Sequence, residues 1–114
     1  MKILAADGIS PEGIGLLTDY EVDVRDKISH EELLDVIGDY DALMVRSASK
    51  VTADVLERAG KLKIIGRAGV GVDNIDVKAA TERGIIVINS PGGNTIAATE
   101  HTVAMMLAMA RNIP

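Results

Sequence analysis

Residues 62–73 read Leu62-Lys63-Ile64-Ile65-Gly66-Arg67-Ala68-Gly69-Val70-Gly71-Val72-Asp73. An apolar run of strand length, residues 62–65, passes directly into a glycine-rich turn that carries an arginine. Helix signals flank it: Thr52 can cap a preceding helix that ends at Gly60, and Gly84 closes the helix that follows the turn. The same unit recurs outward in both directions. Short apolar runs at 3–6, 22–24, 42–45 and 85–88 predict four more strands. Between them, Ser10 can cap a helix to about residue 18, with Pro11 at the first helical position, where its missing N–H is not needed. Ser29 and Glu32 have capping-box spacing, and Leu33, Leu34 and Ile37 form the buried face of the helix they start. Asn94 or Thr95 opens a long final helix with Arg111 at its far end, a favourable place for a cation. Strands alternating with helices need crossover connections, which are nearly always right-handed. The predicted fold is therefore α/β: a flavodoxin-like, doubly wound parallel five-stranded sheet of order 2-1-3-4-5 with a long C-terminal crossing helix.

The 114 residues, 47% hydrophobic and 25% charged, make one domain with a single core. Any activity that needs two domains would be incomplete here. A net charge of −5, with two Tyr and no Phe or Trp, argues against nucleic acid as a partner, because polyanion binding leaves a basic footprint and bases stack on aromatic rings. With no Cys there is no disulfide framework, thiolate metal site or cysteine nucleophile. The N-terminal apolar run ends at Asp7, and the longer run over 95–110 is interrupted by Glu100 and His101, so no membrane span is expected. A cytoplasmic location is expected.

Open α/β sheets bind ligands outside the carboxyl ends of their strands, and three loops there are unusual. The third strand is followed by Arg46-Ser47-Ala48-Ser49-Lys50, the fourth by Gly66 to Asp73, the fifth by Asn89-Ser90-Pro91-Gly92-Gly93-Asn94-Thr95. Neighbouring strands lie about 4.8 Å apart, so Arg46 and Arg67 could direct two guanidinium groups at one phosphate or carboxylate. Gly69 and Gly71 would let backbone N–H groups approach the same anion. The alternative is that both arginines form surface salt bridges and the glycines only make a tight turn.

Other chemistries lack their residues. Gly69-x-Gly71 invites comparison with the dinucleotide fingerprint, but its third glycine position holds Asn74 and the following strand ends in Asn89 rather than an acid. His30, beside Glu31 and Glu32, reads as a solvated surface residue, and His30 and His101 form no i,i+4 pair, so no metal is expected. Ser47, Ser49 and Ser90 lack a nucleophile elbow. The last helix, with Ile96, Ala97 and the run Val103 to Ala110, is apolar nearly all round, which implies burial against a partner or another domain.

The stretches Leu43-Met44-Val45-Arg46-Ser47, Gly66-Arg67-Ala68-Gly69-Val70-Gly71-Val72-Asp73-Asn74, Asn89-Ser90-Pro91-Gly92-Gly93-Asn94-Thr95 and Ala98-Thr99-Glu100-His101 together resemble the D-isomer-specific 2-hydroxyacid dehydrogenases over essentially the whole chain. The pair Arg46 and Arg67 resembles the branch that acts on a phosphorylated hydroxy acid. The resemblance implies NAD-dependent oxidation of 3-phosphoglycerate to 3-phosphohydroxypyruvate, on the way to L-serine. It also implies that residues 1–93 are the substrate-binding lid domain, that 94–114 are the helix crossing to a Rossmann domain, and that this NAD-binding domain and the catalytic residues are absent from the chain. Carried over, Arg46, Ser47 and Arg67 would bind the substrate with the Ala68-Gly69-Val70-Gly71 backbone. Val70 would also touch the cofactor, Asn94 and Thr95 would lie near the hinge, and Glu100 would be structural. The isolated chain would not bind NAD tightly.

Two readings follow for the chain: a catalytically incomplete dehydrogenase domain that binds anions, or a flavodoxin-like module that self-associates. A homodimer through the 95–111 helix is expected. A receiver domain of the same fold is disfavoured, because only Asp7 stands where an acidic cluster would be needed.

Overall fold

β-Branched and other apolar side chains dominate the runs that pair, and both faces of the central strands are covered. The computed structural model describes residues 1–9, 15, 20–68 and 73–89. Strands β1 (Lys2–Ala6), β2 (Glu21–Arg25), β3 (Ala42–Val45), β4 (Ile64–Arg67) and β5 (Ile86–Asn89) form one parallel sheet in the order β2-β1-β3-β4-β5, as the sequence predicts. The expected helices over 10–18 and 94–114, the loop residues Gly69, Val70 and Gly71, and the hinge and helix residues Asn94, Thr95, Glu100 and His101 lie outside the described residues.

Period-two alternation sorts the strand side chains into two apolar layers. Leu4, Ala6, Leu43, Val45 and Ile65 pack on one face with Leu33, Val55, Leu56 and Ala80 from the helices α1 (His30–Val36), α2 (Ala53–Arg58) and α3 (Val77–Glu82). Ile3, Ala5, Ala42, Met44, Ile64 and Ile88 form the other layer with Ile9 and Ala68. Truncating a fully buried member such as Leu33 or Ile65 to Ala would cost about 2–5 kcal/mol through lost contacts and the cavity left behind.

The capping box holds: Glu32 N–H donates to Ser29 Oγ at 3.1 Å, and Ser29 N–H donates back to Glu32 Oε1 at 3.3 Å. Leu33 is buried, Leu34 is half-buried, and Ile37 falls in a 3-10 turn (Ile37–Asp39) that ends the helix. Gly84 has φ +72°, the left-handed conformation expected of a residue just past a helix end.

The first two strands are slightly longer than expected, and three other boundaries shift for a visible reason. The fourth strand runs 64–67 instead of 62–65, because Leu62 N–H is taken by Ala59 O and Lys63 N–H by Asp41 O, so the ladder begins at Ile64 opposite Ala42. The fifth shifts by one, to Ile86–Asn89, since Ile85 N–H bonds Ala80 O. Helix α2 stops at Arg58, and Thr52 caps it in position only: its hydroxyl bonds the Asp54 carboxylate instead of a backbone N–H.

Candidate functional site

The shift of β4 changes where the site begins. Gly66 and Arg67 are the last two residues of the strand, and Arg67 lies directly across from Val45 on one side and Asn89 on the other. Arg46 follows Val45. The two arginines therefore occupy successive levels of the carboxyl edge on neighbouring strands. By alternation Arg67 stands on the face of Ile65, and it is only 8% exposed. A buried guanidinium needs compensation. Arg67 Nη1 donates to Asp73 Oδ1 at 2.7 Å, across the glycine-rich turn. That hydrogen bond, ahead of the charge itself, holds the Asp73 carboxyl below its usual range.

Of the alternative in which both arginines sit in salt bridges, the ion pair is present for Arg67, whose partner Asp73 is exposed while the arginine itself is buried; Arg46 is half-buried. Ser47 is exposed, and Ala68, buried, donates its N–H to Val45 O at 3.0 Å, continuing the ladder one step past the strand. Gly69, Val70 and Gly71 are outside the described residues, so of the expected substrate contacts four are placed: Arg46, Ser47, Arg67 and Ala68. His30 is exposed as expected, with Nε2 3.3 Å from Asp54 Oδ2.

Asp7, Asn74 and the Ser49 hydroxyl, which the sequence did not mark as functional, organise this edge. Asp7, just past β1 with φ +64°, points its carboxylate into the 46–49 turn. Its Oδ2 accepts the N–H of Arg46 at 3.0 Å and of Ser49 at 2.9 Å, and its Oδ1 accepts the Ser49 hydroxyl at 2.6 Å. From the opposite side, Asn74 Nδ2 donates to the carbonyls of Arg46 and Ser49, both at 2.7 Å. Backbone bonds from Val51 N–H to Asn74 O and from Asp76 N–H to Val51 O, both 2.8 Å, tie the two loops together below. A hollow of about 260 Å³, lined among others by Lys50, Thr52, Asp73 and Asn74, opens beside this junction.

Asn74 also explains why the dinucleotide fingerprint fails. A glycine at that position could not hold the Arg46–Ser49 turn. Among the described residues, no helix is long and apolar enough to cross a membrane.

Comparison with known proteins agrees with this architecture. The family described as D-isomer specific 2-hydroxyacid dehydrogenase, catalytic domain, matches residues 3–112. D-3-phosphoglycerate dehydrogenase of Synechocystis sp. is 56% identical over 114 residues, covering 99% of this chain and 21% of that protein. The chain thus spans about a fifth of the length of the curated relatives it matches. Among solved structures, a protein of Thermus thermophilus superposes with a TM-score of 0.75 at 33% identity, over 98% of this chain and 37% of that one. The NAD+-bound 3-phosphoglycerate dehydrogenase of Entamoeba histolytica gives a TM-score of 0.69 at 28% identity, over 79% of this chain and 33% of that one. With its sheet order, its Arg46 and Arg67 loops and this similarity along nearly its whole length, the chain belongs to the D-isomer specific 2-hydroxyacid dehydrogenases.

Proposed function

We propose that these residues are the substrate-binding part of an NAD-dependent D-3-phosphoglycerate dehydrogenase, which oxidises 3-phosphoglycerate to 3-phosphohydroxypyruvate for L-serine synthesis. The observation that carries the reading is the register Val45 opposite Arg67, which sets Arg46 and Arg67 on adjacent strands at the carboxyl edge. Two guanidinium groups suit a substrate with a phosphate at one end and a carboxylate at the other. The name shared by relatives more than half identical to the chain supports the same substrate.

Arg46 and Arg67 bind the substrate's anionic groups, Ser47 adds a hydroxyl, and the 68–71 backbone supplies N–H donors. NAD, held by another part of the enzyme with Val70 at most touching it, is the two-electron oxidant, and the isolated chain does not bind it tightly. Proton removal from the substrate hydroxyl also falls to residues outside this segment, so the chain's share of the chemistry is orientation and charge neutralisation. The enzyme works in the cytoplasm as a homodimer joined through the 95–111 helix, a reading supported by the apolar run Val103 to Ala110.

The test compares 3-phosphoglycerate with D-glycerate, which lacks only the phosphate, in the full polypeptide that carries these residues. NADH formation should prefer the phosphorylated substrate, and Arg46→Ala or Arg67→Ala should erase most of that preference by raising KM. Equal turnover of both acids, unchanged by either substitution, would reject the reading.

A further inference from the structure

The turn that carries Arg46 is held by side chains from two other segments, the end of β1 and the residues before α3. At residues 46 and 49 both backbone N–H groups are bound by Asp7 and both carbonyls by Asn74, with distances of 2.7–3.0 Å. The Ser49 hydroxyl adds a fifth bond, to Asp7 Oδ1 at 2.6 Å. Ser49 is 7% exposed and Asn74 6%, and Asp7 is half-buried, so the bonds that close the turn are largely screened from water. Loops usually gain such order from their own short-range turns; here it comes from residues 25–42 positions away in the chain.

The donor set is also directional. A carboxylate can only accept, so Asp7 suits two N–H groups and a hydroxyl, and the Asn74 amide offers the two hydrogens that two carbonyls need. An aspartate at position 74 would have no hydrogen to give either carbonyl, whereas position 7 needs only a side-chain oxygen that accepts. Asp7 reaches its target because its own backbone is left-handed, φ +64°, a conformation that Asp tolerates better than most residues, and Gly8 continues it with φ +74°.

We infer that Asp7 and Asn74 are positioning residues for substrate binding: with Ser49 they form a clamp that fixes the 46–49 turn and so presets the direction of Arg46 relative to Arg67. The inference rests on the proposed role of the two arginines. Neither Asp7 nor Asn74 touches substrate; each acts through Arg46. A preset arginine loses less freedom on binding than one that must be ordered by its ligand, and misplacement of a binding group by about an ångström can cost on the order of 100-fold.

The experiment is a double-substitution cycle in the full polypeptide, assayed with 3-phosphoglycerate. Asp7→Gly removes the acceptor of both N–H groups without straining the left-handed backbone, and it should raise KM about tenfold with kcat within about twofold, whereas Asp7→Asn, whose amide oxygen can still accept both N–H groups, should recover most of the loss. In the Arg46→Ala background Asp7→Gly should add nothing, since the group it positions is gone. Ser49→Ala, which removes only the hydroxyl bond and keeps the turn's backbone bonds, should repeat the pattern on a smaller scale and serves if Asp7→Gly does not fold. Unchanged KM in both Asp7→Gly and Ser49→Ala overturns the inference, as does a penalty of equal size with and without Arg46, which is the signature of a general folding defect. Should Arg46→Ala itself leave KM unchanged, the arginine's role fails first and the clamp's purpose with it; an effect of Arg46→Ala without one of Asp7→Gly removes the clamp alone.

Discussion

The guanidinium of Arg67 and the carboxylate of Asp73 meet at 2.7 Å, yet the arginine side chain is 10% exposed and the aspartate 91%. One partner is fixed in the sheet edge and the other is free to leave. A substrate anion that binds Arg67 must therefore compete with a carboxylate already in place. Asp73→Asn should strengthen binding of 3-phosphoglycerate severalfold, read as a lower KM at low ionic strength; equal or weaker binding would show that Asp73 orders Arg67 for the substrate instead. Because Asp73 titrates below its usual range, the pair is complete above the ordinary carboxylate pKa and is lost as pH falls through the lowered one. The advantage of the Asn variant should accordingly shrink toward acid pH.

The sheet was legible because its signal is local: apolar runs of strand length, a capping box and glycines at helix ends each declare themselves within a few residues. The fourth strand was misplaced by two residues for the same reason. Leu62 looks like strand and Gly66-Arg67 look like loop, but the parallel ladder depends on which N–H groups are already bound, and Ala59 and Asp41 hold those of Leu62 and Lys63. The position of Arg46 and Arg67 at the carboxyl edge was legible from the strand order. Asp7 and Asn74 were not, since a lone Asp after a strand and an Asn in a glycine-rich turn acquire meaning only from partners that folding brings to them.

Tyr40 is buried with its hydroxyl donating to Asp23 Oδ2 at 2.6 Å, and burial first, then that bond, pushes its pKa up to about 12. A raised pKa means the fold favours the neutral phenol. Its contribution is whole below the unfolded value of 10.0 and disappears as pH rises through about 12. Tyr40→Phe should cost about 1–2 kcal/mol at neutral pH in urea unfolding and should remove the highest-pH phase from a tyrosinate absorbance titration. Persistence of that phase would assign it elsewhere.

Gly84 has no atom within 4 Å of where a Cβ would stand, so substitution there tests backbone conformation alone. At φ +72°, an alanine carries the left-handed penalty of about 1–2 kcal/mol without a clash. Gly84→Ala should lower the urea midpoint accordingly, while Gly84→Asn should lose less because Asn tolerates this region. Equal losses for both would point to a steric cause.

Ser29 starts the helix whose Leu33 seals the layer beneath the Arg46 turn, and its side chain lines a small hollow with Ala48, Ser49 and Lys50. Ser29→Ala breaks one arm of the capping box, the acceptor for Glu32 N–H, and should cost about 1 kcal/mol. Ser29→Asp keeps an acceptor at the N-terminus and should restore most of it, although Glu31 and Glu32 already place two acids in the first turn. The two effects separate by salt. Repulsion among the acids is screened, so Ser29→Asp should gain stability relative to wild type as ionic strength rises, whereas the loss in Ser29→Ala, a missing hydrogen bond, should stay constant. Urea midpoints for the three proteins at about 0.05 M and 0.5 M salt measure this, and a Ser29→Ala loss that vanishes at high salt would mean that charge, and not the cap, starts the helix.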